Sequence, residues 1–155
     1  MFYAHPQKME PYIQGDQKIE YDGRGIVLHL ADQMAFSGIP RFTLGGKGDP
    51  VMVGGGIGVQ PMKREPIRMV DPCVIVFKES ISMPLPDGFR AFIMADTRAA
   101  MFGVILAQML TPIGYYGPLQ TTLFPARRLE IATGYPIARL YFVDDSTLDE
   151  DESEK

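Results

Sequence analysis

The chain has one cysteine and two histidines in 155 residues. A single thiol, Cys73, excludes an internal disulfide and any cysteine-rich metal site. His5 and His29 stand far apart in unrelated contexts, so the sequence offers no histidine-based ligand set and no metal site is expected. No apolar run approaches the roughly 20 residues of a membrane-crossing helix, and no membrane partner is expected. The opening residues, MFYAHPQKME, lack the shape of a secretory signal. The expected setting is reducing and not secreted: the cytoplasm, or a particle assembled there. A nucleic-acid charge signature is missing as well. The net charge of −4 is unevenly placed, because residues 144–155, DDSTLDEDESEK, hold seven acids and one lysine. Removing them leaves 12 acids and 14 bases in residues 1–143. A mildly basic body with an acidic tail gives no direct nucleic-acid signal.

The sequence does contain 16 glycines and 13 prolines, set between many short apolar runs. That pattern predicts a single all-β domain with a core of ordinary size. Three segments follow from composition. Residues 1–24 are polar, with Tyr3, Tyr12 and Tyr21 spread through them. They are expected to form an extended arm lying on its own domain or on a neighbour. Residues 25–143 form the β domain. Residues 144–155 lack the apolar content to fold alone and are expected to need a protein partner for order.

Within the domain, GIVLHL (25–30) reads as a first strand, and ADQMAFSGIPRF has room for one helical turn before Gly38 and Pro40. His29, between two leucines, reads as a strand residue with a satisfied hydrogen bond rather than a ligand. The glycine-rich segment 45–58, GGKGDPVMVGGGIG, resembles a phosphate cradle only superficially. Gly46-Lys47 is followed by Gly48 instead of Ser or Thr, and Pro61 argues against the helix a dinucleotide site requires. It is expected to supply hairpin turns and a loop. MKREP (62–66) reads as a solvated basic turn, and IRMV with CVIVFKES as a strand pair across Asp71-Pro72. Cys73 opens a buried strand, and no histidine follows to activate it. Arg127-Arg128 read as edge charges that resist aggregation.

The remaining stretch, 79–142, carries the most information. ESISMPLPDGFRAFI reads as strand, Leu-Pro-Asp-Gly turn, strand. A bend at Asp96-Thr97-Arg98-Ala99-Ala100 follows, then Tyr115-Tyr116-Gly117, and after another strand Gly134-Tyr135-Pro136-Ile137-Ala138-Arg139-Leu140-Tyr141-Phe142. In order and spacing these pieces resemble the trimeric dUTPase and dCTP deaminase family. The bend stands where that family has Gly-Arg-Ser-Ser or Pro-Arg-Ser-Gly. The last piece is similar to its Pro-Gly-x-x-Ile-Ala-Gln-Leu-x-Phe. The resemblance covers roughly residues 67–143 and implies a distorted jelly-roll or β-barrel and, by analogy with the family, a homotrimer.

The family's chemistry does not map as well as its fold. Ala99 and Ala100 replace the serines after Arg98. Tyr116 stands where the deaminases carry a catalytic Glu, and Thr111 or Pro112 where the dUTPases carry a water-activating Asp. Arg139 replaces the Gln of the last motif. The first expectation is therefore a non-catalytic trimer on this fold, a structural, assembly or binding module such as a virion capsid cement protein. The alternative is a divergent pyrimidine deoxynucleotide triphosphate hydrolase or deaminase. In that case Asp96 and Arg98 are the catalytic candidates, Arg98, Tyr116 and Arg139 the nucleotide-binding ones, and Mg²⁺ the cofactor of the hydrolase. The non-catalytic reading needs no cofactor.

Overall fold

The last strand explains why the sheet closes as it does. In Pro136–Asp144 the side chains of Ala138, Leu140 and Phe142 are buried on one face, Ile137 and Val143 are buried as well, and Arg139 and Tyr141 are half-buried on the face opposite Leu140. β-Branched and aromatic residues at these positions favour extended backbone, and Gly134 at φ 86° turns the chain into the strand. The computed structural model describes residues 2–3, 5–37, 41–43, 51–53, 56–61, 67–69, 71–108 and 110–144, with side chains over 5–31, 71–108 and 110–144.

In chain order the elements are β1 (Phe2–Tyr3), α1 (Pro6–Met9), a 3₁₀ turn at Glu10–Tyr12, β2 (Ile13–Gln14), β3 (Tyr21–Asp22) and β4 (Gly25–Ser37). Next come β5 (Arg41–Thr43), β6 (Val51–Val53), β7 (Gly56–Pro61), β8 (Ile67–Met69) and β9 (Cys73–Ile81). The chain continues with β10 (Phe89–Ala95), α2 (Thr97–Met101), β11 (Val104–Leu106), β12 (Gly117–Pro125), β13 (Leu129–Ile131) and β14 (Pro136–Asp144). The main sheet runs β1-β14-β4-β9-β12-β11, all antiparallel, and β10 pairs along the other edge of β14. The register shifts within β4, β12 and β14, and such irregularities bend strands and let a sheet curl. An isolated bridge between Phe92 and Leu110 brings the segment after β11 back beside β10, so the sheet is nearly a closed barrel.

The inside of that barrel is the core. Ile26, Leu28 and Leu30 of β4 meet Ile75 and Phe77 of β9, Leu119 and Leu123 of β12, and Leu140 and Phe142 of β14, none more than 3% exposed. Each such side chain contributes about 1.5–3 kcal/mol by leaving water.

The all-β expectation holds, and the Asp87-Gly88 turn falls where the sequence puts it, with Gly88 at φ 86°. Three local readings change. The expected helical turn after residue 30 is strand through Ser37, because β7 and β9 offer it hydrogen-bond partners. Ile67–Met69 pairs with β13 rather than with Cys73–Ile81, whose edges are taken by β12 on one side and by β4 with β2 on the other. The bend after β10 contains a short helix, α2, capped by Asp96. Residues 1–24, read as an arm, lie on their own domain over the described part. β1 pairs with β14, β2 with β9, and Pro6, Met9 and Ile13 are buried. MKREP, the glycines at 45–48 and the tail from 145 lie outside the described residues.

Candidate functional site

Asp96 is held by its neighbours from three directions. Its Oδ2 accepts from the backbone N–H groups of Arg98 at 3.0 Å and Ala99 at 3.4 Å, the N-cap arrangement that satisfies otherwise orphaned donors at a helix start. Its Oδ1 accepts from Arg139 Nη2 at 3.1 Å. The same Arg139 nitrogen lies 2.6 Å from Asp22 Oδ2. The Tyr141 side chain first, then the Asp22 and Asp96 carboxylates, push the Arg139 pKa further up, against a lowering by burial. Arg139 Nε is buried without a hydrogen-bond partner. The two candidates Asp96 and Arg139 are thus brought together, in one cluster with Asp22. Arg98 stands on α2 with its side chain exposed.

The second candidate region is the turn before β12. Thr111 locks it to β10: its N–H donates to Ala91 O at 2.8 Å, and its Oγ1 accepts from Ala91 N–H at 3.1 Å. Arg90 Nε donates to Thr111 O at 3.0 Å. Gly114 at φ 77° and Gly117 at φ 131° carry the reversal, and Tyr115 N–H donates to Pro112 O at 3.1 Å. The Tyr115 hydroxyl donates to Pro118 O, and burial raises its pKa. Beside this turn is a cleft of about 220 Å³ lined by Ile93, Thr111, Pro112, Tyr115, Pro118, Leu119 and Gln120. Its lining contains no charged side chain. Tyr116, the residue singled out in the sequence, is 62% exposed, and the neighbouring Tyr115 is the one that lines the cleft. Nothing in Gly-Tyr-Tyr-Gly distinguishes the two rings until the turn is built. Neither Asp96, Arg98, Tyr116 nor Arg139 lines the cleft.

A third cluster was not visible from motif spacing. Along β9, Ile75, Phe77, Glu79 and Ile81 are all buried, so an acid occupies an inward-facing position. Glu79 is 4% exposed. Its Oε1 accepts from the His29 N–H at 2.8 Å and lies 2.6 Å from His29 Nδ1. His29 Nε2 in turn lies 3.5 Å from Glu20 Oε1. Burial raises the Glu79 pKa, and the contacts with His29 offset part of that rise. A Glu at inward parity in an otherwise apolar strand is the signal that would have found this cluster. Cys73, half-buried at the start of the same strand, has its thiol pushed up to about 11 by burial. Among the described residues, no three His, Cys, Asp or Glu side chains converge as a metal site would require, and no helix is long and apolar enough to cross a membrane.

The antiparallel, nearly closed sheet and its short capped helix define an all-β protein with a dUTPase-like fold. Among solved structures, it is similar to the 2′-deoxycytidine 5′-triphosphate deaminase from Agrobacterium tumefaciens, with a TM-score of 0.62 at 12% identity. The match covers 90% of this chain and 47% of that one, so the chain spans about half the length of the enzyme it resembles. At that identity the likeness shows the fold alone. No family model matches the chain, and no curated protein matches it.

Proposed function

We propose that the chain is a non-catalytic module on a dUTPase-like fold, working as a homotrimer in assembly or binding, in the manner of a cement protein on a virus capsid. The observation that carries this reading is the contrast around the bend. Asp96 serves the fold as a helix cap and as a partner of Arg139, while apolar side chains close by in sequence stand in solvent. Met101 is 74% exposed, Phe102 65% and Ile105 53%, and Phe124, opposite Ile105 across β11 and β12, is 43% exposed. Exposed apolar side chains on the end of α2 and on the β11–β12 pair suit contact with another protein surface. Hydrolysis or deamination needs a group positioned to activate water, and the uncharged cleft lining supplies none.

The test is calorimetric titration with dUTP and with dCTP in the presence of Mg²⁺, alongside the mass in solution. The expected outcome is a trimer that releases no binding heat at millimolar nucleotide. A trimer that binds either nucleotide would favour the hydrolase or deaminase reading, and Asp96→Ala and Arg98→Ala would then separate turnover from binding. A monomer, both free and in any assembled complex, would remove the module as described.

A further inference from the structure

Residues 15–20, GDQKIE, form an irregular strap between β2 and β3, laid across the Glu79–His29 pair. A methyl group added at Gly15 would sit 3.5 Å from Glu79 Cγ, so the strap backbone rests directly on the buried acid. Asp16 reaches Lys78 Nζ of β9 at 3.6 Å. Glu20 O accepts from Val27 N–H at 2.9 Å, and the Glu20 carboxylate lies 3.5 Å from His29 Nε2. We propose that this strap is a proton-dependent latch, clamped by Glu20 when His29 and Glu79 together hold two protons and loosened when they hold one.

A contact of 2.6 Å between His29 Nδ1 and Glu79 Oε1 requires one proton between two atoms that otherwise only accept. With a second proton in the pair, His29 Nε2 carries a hydrogen aimed at the Glu20 carboxylate, and the contact attracts. This is true whether the pair is written as imidazolium with carboxylate or as imidazole with carboxylic acid. With only one proton, it stays between Nδ1 and Glu79. Nε2 then turns a lone pair toward an anionic Glu20, and the contact repels.

The other charged groups packed here do not change the sign. From β9, Lys78 is engaged by Asp16; from the strap, Lys18 lines the same crevice; from β3, Asp22 is turned to Arg139. The 132–135 turn beside β4 brings only the half-buried Tyr135 as a titratable group. The burial-driven rise in the Glu79 pKa acts in the same direction, since it favours retaining the second proton. Glu20 is 58% exposed at its side chain, so the clamp has the strength of a surface pair, roughly two- to fivefold in the opening equilibrium. Opening would uncover Glu79 without unfolding the sheet, the kind of local, low-energy motion that surface straps undergo.

The test is amide hydrogen exchange on the full chain across pH 5.5 to 8.5, corrected for intrinsic base catalysis, for wild type, Glu20→Gln and Asp16→Asn. In wild type, protection of residues 15–20 and of the Val27 amide should fall about two- to fivefold as pH rises. In Glu20→Gln, whose side-chain amide can face Nε2 in either protonation state, the corrected protection should stay level. Asp16→Asn keeps the Glu20 contact and should retain the wild-type slope. A level wild-type profile, or a Glu20→Gln profile that falls as wild type does, would overturn the latch.

Discussion

Two acids two residues apart, Glu20 and Asp22, pin the same N-terminal segment to the sheet, and they do so with different chemistry. Asp22 meets Arg139, whose charge is permanent and is shared with Asp96. Glu20 meets His29, which shares its proton with the buried Glu79. The Arg139 cluster is partly open to water, with side-chain exposures of 25% for Arg139 and 51% for Asp22. Its strength is therefore modest, and it does not vary with pH while the carboxylates stay ionised. The Glu79 pair is nearly sealed, at 13% for His29 and 5% for Glu79. There a missing partner leaves a buried group unsatisfied, and a single proton changes the balance. One short segment is thus held by a fixed tie and by one that depends on a shared proton.

The largest expected effect comes from removing the sealed acid. Glu79→Ala strips the His29 N–H and ring of their acceptor and opens a cavity, and should lower unfolding free energy by about 3 kcal/mol in urea titration. Arg139→Ala leaves Asp22 and Asp96 without their shared cation. Because that cluster is wetter, about 1–2 kcal/mol should be lost in the same assay. If Arg139→Ala proves the more damaging, the contrast between the sealed and open ties is wrong.

Asp96 separates its two duties. Asp96→Ala loses both the cap of α2 and the contact with Arg139 and should cost about 1 kcal/mol, whereas Asp96→Asn keeps a capping oxygen and should recover most of the loss. Equal losses in the two variants would mean that the ionic contact of Asp96 with Arg139, rather than the cap, is what matters.

The smallest effect is the pH slope. Burial lifts the folded-state pKa of Glu79 above the usual glutamate range, so the folded chain holds that proton more tightly than the unfolded chain does. Its contribution is present in full below the unfolded value and is lost as pH rises through the folded one. Wild type should therefore gain stability relative to Glu79→Gln as pH falls through that window, read as urea midpoints at a series of pH values. A gain in the opposite direction would mean that His29 stabilises the Glu79 carboxylate more than burial opposes it.

Alternating apolar residues in CVIVFKESI, FRAFIMA and PIARLYFVD, with Pro-Asp-Gly and Tyr-Tyr-Gly turns between them, determined an all-β domain, because strand periodicity and turn chemistry are local. They could not determine pairing. Ile67–Met69 chose β13 over the adjacent β9, since register depends on which edges remain free once the sheet forms. The same limit applies to the site. The sequence singled out Asp96, Arg98, Tyr116 and Arg139. Only tertiary structure tied Asp96 to Arg139, turned Tyr115 rather than Tyr116 into the cleft, and brought His29, Glu20 and Glu79 together. Their partners lie up to 117 residues apart in the chain, as Asp22 and Arg139 do, and no local pattern encodes which distant charge a side chain will meet.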